Sequence, residues 1–245
     1  MIAILGTNHD DILYFETTMA NKKEDILLKK YKVTIGTIFN QEVMLVHGLN
    51  TSILSGVVSS HIFSKYYIDL VIIVGRCYSL SKEMKVGDII IADKIINIDV
   101  DQIDDNDVRV GQIPSLPQEF KVQNDVISYI EEGLNKRAFT TGRKATFLSC
   151  NDLSNKTLQR IADNVVSIFD LTHTVVDSIS GGIAVSGLLF GVPYISVKVV
   201  EKVLGEKWDV ENYLKVLDSY VGADKAIISA IGDIGRNDVI IGGHH

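Results

Sequence analysis

The sequence predicts an α/β protein, a single domain in which helices flank both sides of a twisted, mixed β-sheet. Short apolar runs alternate with longer amphipathic runs along the chain, which is the pattern of strands alternating with helices. No Pro-, Gly- or Ser-rich linker and no block of charge interrupts this alternation, and 245 residues are enough for one continuous core. We therefore expect one domain over residues 1–241. The closing Gly-Gly-His-His of residues 242–245 resembles the end of a purification tag.

The strands are predicted from short runs of apolar residues. Residues 70–75, Leu-Val-Ile-Ile-Val-Gly, are apolar throughout, as in a strand that is buried on both faces. Residues 31–39 and 42–46 alternate on either side of a two-residue turn and predict a hairpin. The predicted strands cover, in order, residues 1–5, 31–39, 42–46, 70–74, 88–93, 145–148, 165–169 and 194–200.

The helices are predicted from apolar residues that recur with helical spacing and from capping residues. Thr51 or Ser52 can cap a helix whose inner face would hold Ile53, Val57, Val58, Ile62 and Phe63. Residues 177–190 are rich in Gly, Ala and Ser, which suits a helix that lies close to neighbouring backbone. The predicted helices cover residues 51–67, 124–136, 155–163, 177–190 and 209–231.

Composition excludes several classes of protein. With 24 Lys and Arg against 31 Asp and Glu, the net charge is −7, so we expect no nucleic-acid partner. The apolar runs are too short to cross a bilayer, and we expect no membrane association. The two cysteines, Cys77 and Cys150, cannot form a disulfide framework and are expected to be reduced and buried in a cytoplasmic protein. We expect no metal and no cofactor, because no two histidines have metal-ligand spacing.

An acidic segment at residues 99–108 contains five aspartates. It lacks the central Gly and the terminal Glu of a twelve-residue calcium loop, so a solvated surface loop is the better interpretation.

Four segments in order carry a family resemblance. They are the strand 2–6 with the acidic turn after it, the run 84–93 (Met-Lys-Val-Gly-Asp-Ile-Ile-Ile-Ala-Asp), the run 111–114 (Gly-Gln-Ile-Pro) and the run 191–194 (Gly-Val-Pro-Tyr). In order and spacing they resemble the methylthioadenosine/S-adenosylhomocysteine nucleosidases, within the purine nucleoside phosphorylase superfamily. The resemblance implies a homodimer that hydrolyses the N-glycosidic bond of a small adenine nucleoside.

The resemblance also assigns roles to residues. Asp11 stands where the family has the Glu that activates water, and it is interpreted equally well as a general base or as an exposed turn acid or helix cap. Asp177 matches the first acid of the ribose-binding segment, but Ile179 stands in place of the ribose-binding Glu. Lys202 occupies the position of the acid that protonates the purine. Glu201 can take that role only if the strand shifts its register by one residue.

Substrate contacts are assigned in the same way. Arg76 and Tyr78 replace small residues of a glycine-rich turn from which only Gly75 remains, and Arg76 could serve as a fork for a carboxylate or phosphate. Ser149 begins the segment that holds the base, and Leu153 stands where an aromatic ring stacks on adenine.

Three hypotheses follow from these substitutions. The chain is an active nucleosidase or phosphorylase of altered substrate that uses Asp11 and Glu201. Alternatively, it keeps the fold with a degenerate site and binds another ligand or a protein. In the third hypothesis it is an enzyme that holds an anionic metabolite through Arg76, Lys198 and Lys202. A degenerate site explains the most substitutions at once, and we favour it.

Overall fold

The computed structural model describes residues 1–100, 109–136, 142–165, 168–207 and 209–236. Most of the acidic segment and the last residues, 237–245, lie outside the described residues, so the predicted surface loop and tag stay predictions. Among the helices of the described residues, none combines the length and the hydropathy that a bilayer crossing requires.

Within the described residues, eleven strands form one mixed sheet. The strands are β1 (Ile2–Leu5), β2 (Ala20–Leu27), β3 (Tyr31–Ile38), β4 (Gln41–Val46), β5 (Leu70–Ile73), β6 (Arg76–Ser79), β7 (Ile89–Asn97), β8 (Phe120–Lys121), β9 (Arg143–Ser149), β10 (Thr174–Asp177) and β11 (Tyr194–Val203). The α-helices are α1 (Leu13–Thr18), α2 (Ser52–Lys65), α3 (Asn124–Lys136), α4 (Asn155–Val165), α5 (Ser180–Phe190) and α6 (Val210–Arg236).

The sheet closes on itself over part of its width. Its order is β2-β3-β4-β1-β5-β11-β6-β10-β9-β7-β8, and β7 also pairs with β11. The strands β11, β6, β10, β9 and β7 therefore form a ring. β1 and β5 pair parallel to each other and extend the sheet away from this ring. The carboxyl ends of parallel strands meet at one edge of a sheet, and ligands commonly bind there.

The predicted α/β architecture with helices on both sides is confirmed. All four residues of β1 and of β5 are buried, as the apolar runs predicted. Helix α2 packs on α5, and helix α3 packs on α6, which also contacts β3, β4 and β11. The Thr51 hydroxyl accepts a hydrogen bond from the Leu54 N–H at 3.1 Å and caps α2 as predicted.

Helices α2 and α5 cross with very little space between their backbones. A Cβ atom added at Gly182 would lie 1.9 Å from the Ser52 carbonyl oxygen, whereas one at Gly56 would have its nearest neighbour at 3.4 Å. The Ser186 hydroxyl donates to the Gly56 carbonyl oxygen at 3.0 Å across the same contact. The small residues of α5 are therefore required by this crossing, as the sequence predicted.

Two predictions from apolar patterning are wrong. The described residues of the run 165–169 are not in a strand: Val165 ends α4 and packs in a core with Leu158 and Ile161 at helical spacing, and the Phe169 N–H donates to the Val165 carbonyl oxygen in the turn that follows. The strand of this region is β10, which begins nine residues later. The predicted inner face of α2 is also divided, because Ile53 is 71% and Val57 is 55% exposed.

Strand β2, which the sequence analysis did not predict, forms one edge of the sheet. Seven of its eight residues are exposed, and it pairs with β3 through a register shift between Ala20 and Lys23. Because its residues are mostly polar and exposed, it has no apolar alternation, which is why the pattern of apolar residues missed it.

Candidate functional site

Asp11 lies in a short 3-10 turn, His9–Asp11, that follows β1. Its side chain is fully buried, so it is not an exposed turn acid. One carboxylate oxygen, Oδ2, accepts hydrogen bonds from the Thr7 N–H at 2.9 Å and the Asn8 N–H at 2.7 Å and so closes the turn. The other oxygen, Oδ1, is buried without a hydrogen-bond partner. Burial raises the pKa of Asp11, against the lowering effect of the Asn8 N–H, Lys198 and Arg76.

Gly75 shapes the space beside this carboxylate. Its φ of +122° is a backbone conformation that favours glycine, and a Cβ atom there would lie 2.8 Å from Asp11 Oδ2. Glycine is therefore needed between β5 and β6 for the buried carboxylate to fit.

A second carboxylate, Asp177 at the end of β10, forms a buried ion pair. The Lys198 ammonium lies 3.2 Å from Asp177 Oδ2, and both side chains are about 1% exposed. The same ammonium donates to the Val74 carbonyl oxygen at 3.1 Å, and the Ser180 hydroxyl donates to Asp177 at 2.5 Å. Asp177 and Lys198 are therefore held by internal partners.

Arg76 connects three elements of the structure. Its Nη1 lies 2.7 Å from Glu201 Oε1, and its Nε donates to the Tyr220 hydroxyl of α6 at 3.1 Å. The guanidinium carbon is 5.7 Å from the centre of the Tyr220 ring. Arg76 Nε is 4.0 Å from Asp11 Oδ1, which is too long for a hydrogen bond. Arg76 is therefore not a free fork for an anion.

Glu201 occupies a β-bulge in β11. The register with β6 runs from Val200 opposite Cys77 to Lys202 opposite Tyr78, so Glu201 is the extra residue. This shift is one of β11 against β6 within the chain, so the role of Glu201 as the acid stays a prediction. Its carboxylate, however, turns toward Arg76.

Lys202 and Ile179 stand at the other two positions that the resemblance assigned to chemistry. Lys202 Nζ donates to Asn155 Oδ1 at 2.6 Å. Ile179 is fully buried in the main hydrophobic core. Neither side chain takes part in the network around Asp11.

Ser149 lies on β9 directly opposite Asp177 of β10, whereas Leu153 lies in a different part of the fold. The Ser149 hydroxyl accepts a hydrogen bond from the Gly181 N–H at 2.8 Å, at the start of α5. Leu153 packs against a separate small core that contains Leu148 and Cys150. The structure therefore brings Asp11, Arg76 and Glu201 into one network and leaves Ser149 and Leu153 outside it.

Tyr220 and Asp224 were missed as site residues from the sequence, whereas Lys198 was named there in the third hypothesis. Tyr220 was assigned to the apolar stripe of α6, and Asp224, one turn further along, received no role. Burial and the charge of Asp11 raise the pKa of both side chains. Burial and Glu201 raise the pKa of Tyr78 to about 12. A signal did exist for Lys198, since it is the one charged residue within the otherwise apolar run 194–200.

The part of the chain that the structure describes contains no group of three His, Cys, Asp or Glu side chains arranged to hold a metal ion. Both cysteines there are free and buried, as the sequence predicted.

Comparison with known proteins identifies what this chain is similar to. A family model described as the phosphorylase superfamily matches residues 2–231. A 5'-methylthioadenosine/S-adenosylhomocysteine nucleosidase of Bacillus velezensis is 21% identical over 209 residues, 85% of this chain and 88% of that protein. The nucleosidase of Staphylococcus haemolyticus is 25% identical over 139 residues, which are 57% of this chain and 60% of that protein.

Solved structures share the fold. The nucleosidase of Neisseria meningitidis, in complex with methylthio-immucillin-A, superposes with a TM-score of 0.83 at 18% identity, covering 95% of this chain and 98% of that chain. The nucleosidase of Colwellia psychrerythraea, in complex with adenine, gives a TM-score of 0.83 at 15% identity and covers 94% of each chain. The predicted family resemblance is thereby confirmed.

Proposed function

We propose a function for this chain from one premise: it belongs to the phosphorylase superfamily, and its relatives are nucleosidases. The chain is a nucleosidase-like protein in which the site for cleaving adenine nucleosides is degenerate. The observation that carries this proposal is the pairing of Arg76 with Glu201 and Tyr220, because it engages Arg76 and Glu201, to which the family resemblance assigns roles at the nucleoside.

Cleavage of an N-glycosidic bond needs a group that protonates the leaving purine. Glu201 is paired with a guanidinium, and a carboxylate in such a pair accepts hydrogen bonds rather than donating a proton. Lys202, at the aligned position, is directed to Asn155. Neither residue meets the requirement for a general acid in this arrangement.

The transition state also needs a partner for the ribose hydroxyls. Ile179 is apolar and buried in the core, so it cannot accept a hydrogen bond from them. A hydroxyl group that is buried without a partner costs roughly 1–3 kcal/mol. Ile179 therefore gives the ribose no hydrogen bond, and burying the ribose hydroxyls against it is unfavourable.

Asp11 favours a second candidate function, an active nucleosidase or phosphorylase of altered substrate. Its Oδ1 atom is buried and lacks a partner, and its raised pKa suits a general base. This candidate would still need a proton donor for the leaving group, which is why we place it second.

The third hypothesis, an enzyme for an anionic metabolite, has less support. Arg76 and Lys198 carry two positive charges, whereas the carboxylates in contact with them belong to Asp11, Asp177 and Glu201. An anion would meet a cluster with an excess of negative charge.

The test measures adenine release from methylthioadenosine and S-adenosylhomocysteine, with and without inorganic phosphate. We expect a rate no faster than buffer alone, and the same rate for Asp11→Asn. A wild-type rate above buffer that falls in Asp11→Asn would overturn the degenerate site and establish the second candidate.

We also propose a homodimer formed through the outer side of α2 and α5. Ile53, Val57 and Leu189, which is 66% exposed, line one groove of about 650 Å³ on this side. Helix α5 has no Asp, Glu, Lys or Arg, and α2 has none before Lys65. The groove includes the Asp99 carboxylate among apolar and neutral polar residues. Such a largely uncharged face suits contact with the same face of a second copy.

Sedimentation velocity tests this assembly. We expect the wild type to sediment as a dimer and the variants Ile53→Glu and Leu189→Glu to sediment as monomers. Ile26→Glu is the matched control, because Ile26 is equally apolar and 65% exposed but lies on β2. A monomeric wild type, or dissociation by all three variants, would reject this interface.

With its reduced, buried thiols, the protein is proposed to act in the cytoplasm on or with a small molecule.

A further inference from the structure

The Arg76 guanidinium is held by an arrangement that would bind any similar cation. A carboxylate from the β11 bulge, Glu201, meets one side of it at 2.7 Å. A phenol, Tyr220, accepts a hydrogen bond at 3.1 Å and presents its ring to the group. Planar guanidinium groups bind carboxylates and aromatic rings in this way. Glu201 and Tyr220 come from β11 and α6, which are distant in sequence from Arg76.

One acceptor in this arrangement is still unused. Asp11 Oδ1 is buried, has no hydrogen-bond partner and lies 4.0 Å from Arg76 Nε. A buried carboxylate oxygen normally has a donor, because an unpaired one is costly. Arg76 reaches this oxygen imperfectly because its side chain enters from β6. A free cation is not constrained by that attachment and can approach Asp11 and Glu201 together.

The charges around Arg76 set the class of ligand. Without Arg76, the cluster would retain the carboxylates of Asp11, Asp177 and Glu201 and only one cation, Lys198, which is paired with Asp177. Such a site repels anions and attracts a cation with several N–H donors.

We propose that the cluster of Glu201, Tyr220 and Asp11 is a binding site for a ligand that carries a guanidinium or amidinium group, and that the Arg76 side chain occupies this site in the structure. The inference rests on the proposed function in one respect, since it assigns the degenerate site a ligand other than a nucleoside. In the wild type, Arg76 is tethered beside Glu201 and competes with a free ligand at high effective concentration. The ligand therefore binds when the Arg76 side chain turns away.

Chemical rescue tests the proposal. In Arg76→Ala, thermal unfolding should occur about 4–8 °C below the wild type, because Glu201 and Asp11 lose their cation. Methylguanidinium chloride at about 20 mM should restore at least half of this shift through binding to the folded state. Sodium chloride at the same ionic strength should not. Wild type should shift little, since Arg76 occupies the site.

Two control variants separate site binding from general effects. Arg143 is half exposed and lies 3.7 Å from Asp88, so Arg143→Ala should show no rescue. In Arg76→Ala with Glu201→Gln, rescue should disappear because the main acceptor has lost its charge. Equal shifts in all variants, or none in Arg76→Ala, would overturn the proposal.

If Arg76→Ala does not fold in plain buffer, refolding yield replaces thermal unfolding as the readout. The yield should then rise with methylguanidinium and not with sodium, and an equal yield in both salts would overturn the proposal. Neither readout depends on adenine release. The proposed function and this inference can therefore fail separately.

Discussion

The buried pair of Lys198 and Asp177 gives the sharpest prediction about stability. Replacing Lys198 by Met removes the ammonium but fills the volume, and it leaves the Asp177 carboxylate buried without its cation. Removing one partner of a buried ion pair costs about 3–5 kcal/mol. The Ser180 hydroxyl still donates to the carboxylate at 2.5 Å, so we expect the lower end, about 3 kcal/mol.

The measurement is urea-induced unfolding of Lys198→Met, Asp177→Asn and the double variant. In a domain of this size, about 3 kcal/mol corresponds to a fall in melting temperature of roughly 6–12 °C, which gives a second readout. The double variant should be more stable than the sum of the single effects by about 1–3 kcal/mol, because no uncompensated charge remains. Lys202→Met is the control, since Lys202 contacts an exposed amide, and we expect a change below about 0.5 kcal/mol. Additive single effects would refute the argument that the two charges stabilise each other.

Two further predictions concern the helix crossing and the buried carboxylate. Gly182→Ala should lower the free energy of unfolding by about 3 kcal/mol or more, because its Cβ would lie 1.9 Å from the Ser52 carbonyl oxygen. Gly56→Ala is the control and should be neutral or slightly stabilising. Chemical denaturation measures both changes. Asp11→Asn should stabilise the protein at pH 7, because burial raises the pKa of Asp11 in the folded state. Ionisation of Asp11 therefore destabilises the folded state above its folded-state pKa, and it has no effect on stability below the pKa of the unfolded chain. Its advantage should shrink as the pH falls toward 4. A constant difference between variant and wild type across this range would contradict the reasoning.

The sequence determined much of the fold because the relevant signals were local. The run 70–74 and the hairpin at 31–46 needed only neighbouring residues to be interpreted correctly. The wrong predictions arose where the burial of a residue depends on its packing against other elements of the fold. Val165 belongs to the apolar stripe of an amphipathic helix, but the residues after it extend the run and imitate a strand. Ile53 is apolar and yet faces outward, which periodicity within a single helix cannot detect.

The site was harder to predict because its contacts are long-range. Alignment with the family indicated Asp11, Arg76 and Glu201 as residues of one site, but not the pairing of Arg76 with Glu201 and Tyr220. Arg76 and Tyr220 are 144 residues apart, and Arg76 and Glu201 are 125 apart. Pairing across such distances depends on the closed ring of strands and on a one-residue bulge. Neither leaves a clear pattern in a single sequence.

The charged edge strand β2 has a consequence for how the protein behaves in concentrated solution. An edge strand presents unpaired N–H and carbonyl groups that can template strand addition by another molecule. Lys22, Lys23, Glu24 and Asp25 place four consecutive charges on this rim, and the register shift beside them disturbs its flatness. A docking strand would have to strip water from those charges without gaining apolar contact. The charged residues of β2 therefore disfavour intermolecular β-pairing and amyloid-like growth.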